Sequence, residues 1–302
     1  NARVESWLYV TNTPLAQQQG VTGYYVRVAP PDVLRDRAAL DAVLPIKNEA
    51  TDRALSAAAQ VSVDFLQLVR FGLRAANDPR VRDSIVVADA LLRVDTPSGP
   101  SWHRYNGDGY GEHADGREFD GTGVGRAWPL LTGERGHYEL LAGKDPLSYL
   151  DSMCAMSGTG GMLPEQVWDS GPIAGQSFRI GRPTGSAMPL AWAHAEFIKL
   201  MVSRQRGEIV DCPRIVFERY HDAPRTSHVS VWSECAPLTQ FKVGTDLRMN
   251  FAAVGTLSWR RMQETHWHEA ALRTTLPGIC TVVLPTRMLA AGDAVEFCWR
   301  MM

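Results

Sequence analysis

The sequence predicts an α-rich region followed by a β region, divided at 206/207. Three observations predict it. Apolar residues recur at helical spacing as far as about residue 205, short β-type runs follow from about residue 214, and the breakers Gly207 and Pro213 bracket the change. The expected domains are therefore 1–206 and 207–302. At 302 residues and 45% apolar content, the chain can hold one large domain or two ordinary ones with a sizeable core.

In the first part, Val61, Phe65, Leu68, Val69 and Leu73 share a helical face, with Asp52 placed to cap its start and Asn77-Asp78-Pro79 to end it. The next helix should run from about Pro79 to Val94, and further helical stretches fit 123–142 and 146–157. Leu190, His194, Phe197, Ile198, Met201 and Val202 give one apolar stripe to a last helix that Pro189 opens as a first-turn residue. On that stripe His194 reads as a satisfied interior histidine. Between the helices lie long loops rich in Gly, Trp and charge, 96–122 and 158–188, and loops of that length in a compact domain are usually functional.

In the second part, Arg214-Ile-Val-Phe217, His228-Val-Ser-Val-Trp232, Leu247-Arg-Met-Asn-Phe251, Thr281-Val-Val-Leu284 and Ala294-Val-Glu-Phe-Cys-Trp299 read as the strands of a small β-sandwich. Its tryptophans Trp232, Trp259, Trp267 and Trp299 form either its core or a sugar-stacking platform.

Charge narrows the partners. The formal charge of −2, from 31 basic and 33 acidic residues interspersed, gives no basic stripe for nucleic acid and no polybasic tract for a membrane surface. The apolar stretches fall short of the ~18 residues a membrane helix needs. Cys154, Cys212, Cys235, Cys280 and Cys298 match no zinc spacing, and the acidic residues around Asn106-Gly107-Asp108-Gly109 miss the ligand spacing of a calcium loop, so no metal and no cofactor is expected.

The chemistry concentrates in Met162-Leu-Pro-Glu165-Gln-Val-Trp168-Asp169, which sets a carboxylate in a Pro-ordered loop beside an amide and an indole. Hydrolysing an acetal with inversion needs one protonated carboxyl for the leaving oxygen and one carboxylate that takes a proton from water, about 6.5–9.5 Å apart. Glu165 suits the second role, with Gln166 and Trp168 able to orient water and wall the site, and Asp169 able to supply a hydrogen bond. Upstream, Arg104 offers a planar fork for vicinal hydroxyls, and Trp102, Tyr105, Tyr110 and Trp128 offer flat faces for the C–H side of a sugar ring. The competing reading is core packing of these rings and an ion pair from Arg104 to Asp108 or Glu112.

Together with Trp102-His-Arg104-Tyr105-Asn106-Gly107-Asp108-Gly109-Tyr110, Gly125-Arg-Ala-Trp128-Pro129 and Pro189-Leu-Ala-Trp192-Ala-His194-Ala-Glu196-Phe197, the Glu165 segment resembles the bacterial branch of the family 15 glycoside hydrolases, the glucoamylases and glucodextranases. The resemblance covers most of 50–205, with the motifs in the family's order. It implies that Glu165 is the catalytic general base and that Arg104 and Trp128 bind glucose units. It also implies an (α/α)6 barrel of which 1–206 is the second half, the C-terminal part of a catalytic domain, followed by a β domain with either a structural or a carbohydrate-binding role. The family's general acid lies in an upstream Trp-Glu motif with no counterpart here. The expectation is that an N-terminal fragment of the same enzyme supplies it, in keeping with a chain that starts at Asn1 without Met. The implied activity is exo-hydrolysis of α-glucosidic bonds releasing β-glucose from non-reducing ends, in a periplasmic or secreted protein. Cleavage of α-1,6-dextran or trehalose by the same machinery, and a non-catalytic carbohydrate-binding or structural chain, remain alternatives.

Overall fold

The computed structural model describes residues 3–51, 53–220 and 227–301, which form two compact units. The first comprises 3–30 and 38–220, and the second 31–37 and 227–301. The first unit thus runs beyond Arg206, through a further helix.

Its elements in order are α1 (Val4–Leu8), β1 (Tyr9–Thr11), α2 (Pro14–Gln19), β2 (Gly23–Tyr25), α3 (Leu66–Arg70), α4 (Pro79–Leu92), β3 (Arg93–Thr96), β4 (Gly99–Trp102), α5 (Pro129–Leu141), α6 (Leu147–Met156), α7 (Ala191–Arg206) and α8 (Arg214–Tyr220). Antiparallel pairs β1–β2 and β3–β4 are small ribbons beside the helices. The start of α4 follows from sequence: Asp78 accepts a hydrogen bond from the Arg80 amide and Pro79 occupies the first turn. At the other end of the unit, α7 stops on Gly207 in the left-handed conformation.

The central helix is α5, which packs against α3, α6 and α7. Leu130, Leu131, Tyr138, Leu150, Met153, Met156 and Leu200 form the buried seam. A Cβ on Gly136 would meet Leu200 Cδ2 at 2.5 Å, so the helix gives up about 1 kcal/mol of intrinsic propensity there for close approach to α7. Charge is buried in the same layer: Glu196 on α7 takes Arg70 Nη1 at 2.8 Å and His137 Nδ1 at 2.7 Å. Burial pushes the Glu196 carboxyl up, but the His137 and Arg70 contacts outweigh it and bring it down to about 2.

Several expectations need correction. The face on Val61 to Leu73 predicts one helix, whereas only Leu66–Arg70 is α-helical. Tertiary pairing overrides the pattern: Ser62 forms a bridge with Tyr105, and the Val61 amide donates to Asn106 Oδ1 at 2.7 Å, which ties this backbone to the neighbouring loop in extended form. Asp52, the expected cap, lies outside the described residues. Helix α5 begins at Pro129 because Ala127 and Trp128 are extended and bridge to Val167 and Trp102. Helix α7 begins at Ala191, two residues past Pro189. Arg214-Ile-Val-Phe217, expected as a strand, lies in α8.

The second unit holds β5 (Val229–Ser233), β6 (Asp246–Phe251), β7 (Gly255–Arg261), β8 (His268–Ala271), β9 (Arg273–Leu276), β10 (Ile279–Leu284) and β11 (Val295–Met301). One sheet has the order β5-β6-β10-β9, in which β5 runs parallel to β6 and the other neighbours are antiparallel. The other is the antiparallel β11-β7-β8. Alternate residues of β6 and β7 turn inward, and Leu247, Met249, Phe251, Leu257 and Trp259 share one core with Cys280 and Leu284. Trp259 lies in that core and the partly buried Trp232 and Trp299 pack against it. Trp267 stands apart, with the Arg260 guanidinium 4.8 Å from its ring centroid. The five cysteines are unpaired.

Candidate functional site

The site is assembled on the first unit where the loops 102–113, 123–128 and 163–187 meet. The segment before α5 is threaded between the other two. On one side the Trp128 amide donates to the Trp102 carbonyl at 2.9 Å, and on the other the Val167 amide donates to the Ala127 carbonyl at 2.9 Å. Gly125 makes this threading feasible: its amide bonds the Asp108 carbonyl at 2.7 Å, and a Cβ there would meet that oxygen at 2.6 Å.

Glu165 is half-buried, and its amide donates to the Ala187 carbonyl at 2.8 Å. The Tyr110 hydroxyl lies 3.4 Å from Glu165 Oε2. Burial pushes the Glu165 carboxyl above the ordinary glutamate range, partly offset by the Tyr110 hydroxyl and the Arg104 charge, with Glu112 pushing further upward. That direction makes the Glu165 carboxylate a stronger proton acceptor than an ordinary one.

Arg104 is clamped by Asp108, Nε to Oδ2 at 2.7 Å and Nη2 to Oδ1 at 2.8 Å. The ion pair and the aromatic cage coexist: its guanidinium carbon lies 4.9 Å from the Tyr110 centroid, 5.1 Å from Trp128 and 5.4 Å from Tyr105. The pair with Asp108 uses the Nε/Nη2 edge and leaves Nη1 outside it. A cavity of about 550 Å³ opens beside this cluster, lined by Arg104, Tyr105, Trp128, Glu134 and Trp192 among others. Glu165 does not line it, but is tied to its rim through Tyr110, whose ring lies against Trp128 with centroids 6.3 Å apart. Trp128 itself is 4% exposed, and its indole Nε1 is a buried donor without an acceptor among the described residues.

The structure therefore brings together Glu165, Tyr110, Arg104, Tyr105 and Trp128, and separates three other sequence candidates from them. Trp102 is 1% exposed, donates to Asp89 Oδ1 at 2.9 Å and stacks on Tyr149, so it belongs to the core. Trp168 is likewise enclosed, stacked on Phe178 at 4.5 Å with the Arg126 guanidinium over its ring. Gln166 is buried and donates from Nε2 to the Tyr110 carbonyl at 2.9 Å, which makes it a support for Tyr110 rather than a sugar ligand.

Sequence reasoning passed over Arg126. It is fully buried, donates from Nη1 to Asp169 Oδ1 at 3.0 Å and Ser170 Oγ at 2.7 Å, and donates from Nη2 to the carbonyls of Glu112 and His113. The available signal was its spacing, two residues before Trp128 in an extended segment, which sets both on one side of the strand. His194 matches its interior reading, since Nε2 accepts the Leu163 amide at 3.0 Å. Among the described residues no group of three His, Cys, Asp or Glu side chains is placed to hold a metal ion, and no helix is long and apolar enough to cross a membrane.

No family model matches the chain. A curated glucoamylase of Clostridium sp. (strain G0005) is 47% identical over 160 residues, which is 53% of this chain and 22% of that relative. The crystal structure of a bacterial glucoamylase complexed with acarbose is similar at a TM-score of 0.61 and 40% identity, over 72% of this chain and 30% of the other. The chain thus spans less than a third of the length of these relatives. Over these stretches the chain is similar to part of a bacterial glucoamylase.

Proposed function

We propose that this chain is the base-bearing part of a glycoside hydrolase that removes glucose from the non-reducing ends of α-glucans with inversion. Glu165 takes the proton from the attacking water. Arg104 presents its Nη1 edge, and Trp128 and Tyr110 present ring faces, to the terminal glucose. The observation that carries this reading is the half-buried Glu165 carboxylate beside a guanidinium caged by three aromatic rings. That pairing of a basic carboxylate with a planar donor on aromatic walls suits a neutral sugar ring. The acarbose held by the similar glucoamylase supports an oligosaccharide substrate.

The general acid is proposed to come from polypeptide outside these residues. Of the carboxylates near Glu165, Asp108 is committed to Arg104 and Asp169 to Arg126, His103 and the Ala127 amide, while Glu112 accepts the Gly185 amide on Oε1 and keeps a buried Oε2 without a partner among the described residues. A general acid must instead hold a proton and face the leaving oxygen. In the same reading the first unit is part of an (α/α)6 barrel whose remaining helices cover apolar residues exposed on α7, such as Trp192, Ile198 and Met201, and the second unit is a β-sandwich. An extracytoplasmic location, where glucan polymers are met, belongs to the proposal, and α-1,6-dextran and trehalose remain the competing substrates.

The test is Glu165→Gln in the assembled enzyme. The amide keeps the shape but accepts no proton from water, so turnover should fall by about 10²–10⁴ while glucan binding persists. Retention of more than about a tenth of the wild-type rate contradicts the assignment.

A further inference from the structure

Asp169 is the point at which every strand of the site converges, although it touches none of the sugar-facing groups. Its Oδ2 accepts the Ala127 amide at 3.0 Å and lies 2.7 Å from His103 Nε2, while its Oδ1 accepts Arg126 Nη1 at 3.0 Å. Each donor neighbours a proposed functional residue in the chain: His103 precedes Arg104, Ala127 precedes Trp128, and Arg126 reaches across to the Glu112 and His113 carbonyls just beyond Tyr110. Asp169 itself ends the short segment that begins at Glu165 and is paired to Ala127 at Val167. The pair is walled from water, with Arg126 fully buried and the Asp169 side chain 4% exposed.

We propose that Asp169, seated on Arg126, is the positioning residue that fixes Glu165 relative to the Arg104, Tyr110 and Trp128 cluster. The inference rests on the reading of Glu165 as general base. A buried carboxylate with three donors from two different loops is a rigid joint, because each donor left unpaired would cost its desolvation. Asparagine in its place offers one acceptor oxygen and turns N–H groups toward donors, so the loops part and water reaches Glu165. A misplacement of about 1 Å between base and substrate typically costs about 10²-fold.

The experiment compares wild type, Asp169→Asn, Arg126→Lys and Glu165→Gln in the full protein. The readouts are kcat, KM, the pH profile, and a ¹³C titration of the Glu165 carboxyl, assigned by its absence in Glu165→Gln. Glu165 faces Tyr110, Arg104 and Glu112, none of which these variants alter. The expected result for Asp169→Asn is a kcat lower by about 10- to 100-fold with a smaller change in KM, and an acidic limb moved down toward an ordinary glutamate. A purely structural role would lower thermal stability and leave that limb in place. Arg126→Lys keeps the cation but loses the fork, and should give a milder form of the same change if Asp169→Asn does not fold. If Glu165→Gln is inactive while Asp169→Asn keeps kcat within twofold and an unchanged Glu165 titration, the positioning role is wrong and the base assignment stands. If Glu165→Gln keeps its activity, the base assignment falls and the positioning role with it. In a sample without turnover the Glu165 titration decides alone: a downward move supports the joint and no move overturns it.

Discussion

At the scale of single residues, the Glu165 environment makes its protonation measurable. Burial raises its carboxyl, and the Tyr110 hydroxyl, which favours the charged form, opposes that rise. Removing the hydroxyl in Tyr110→Phe takes away the opposing contact and leaves the ring against Arg104 and Trp128. The acidic limb of the pH–rate profile should then move upward by a fraction of a pH unit, with little change in KM. An unmoved limb would show that Tyr110 does not bear on Glu165. The residues themselves explain what could be read beforehand. Glu165, Arg104 and Trp128 are legible because their side-chain chemistry sits in recognisable local runs. The roles of Trp102, Trp168 and Gln166 are not, since an indole that stacks on a sugar and one that stacks on Tyr149 or Phe178 look alike in sequence; the indoles of Trp102, Trp168 and Trp128 are all buried, and what separates them is that Trp128 lines the large cavity.

At the scale of elements, α5 carries a second consequence of buried charge. Glu134 is pushed up to about 7 by burial and by the nearby Glu196 carboxylate. Folding therefore holds a proton that the unfolded chain releases above its ordinary value of 4.5. Stability from this group is complete below that value, declines as pH rises toward about 7, and stays reduced above it. Glu134→Gln should remove the decline, so denaturant titrations at about pH 4.5 and about pH 8 would show a smaller difference than in wild type. An equal difference in both proteins would exclude Glu134 as its source. The helices α4, α5, α6 and α7 were legible in outline because helical spacing and breakers such as Pro79 and Gly207 are local properties, but the apolar stripe expected on α7 is not its buried face: Ile198 and Met201 are exposed, and Ala193, Glu196, Leu200 and Ser203 are buried. The stretch 61–73 was not, because its helical spacing competes with pairing to the distant loop at Tyr105 and Asn106. Likewise β7, β8 and β9 carry too few alternating apolar residues to stand out, and Arg214-Ile-Val-Phe217 is apolar enough for a strand but is too short for its periodicity to distinguish strand from helix.

At the scale of the molecule, the proposal joins a half-equipped site to a longer enzyme. An active sample should contain polypeptide beyond these residues, which intact-mass measurement detects; a lone 33.4 kDa species that hydrolyses glucan would require a second catalytic carboxyl within this chain. The central claim is that Glu165 activates water for direct displacement at the anomeric carbon, and proton NMR of the products within the first minutes of reaction tests it most directly. With maltotriose, isomaltotriose and trehalose compared in one assay, the preferred α-linked substrate should release β-glucose first, with the α-anomer appearing later by mutarotation. Release of α-glucose first would mean retention through a covalent intermediate, and Glu165 would not be a base acting through water.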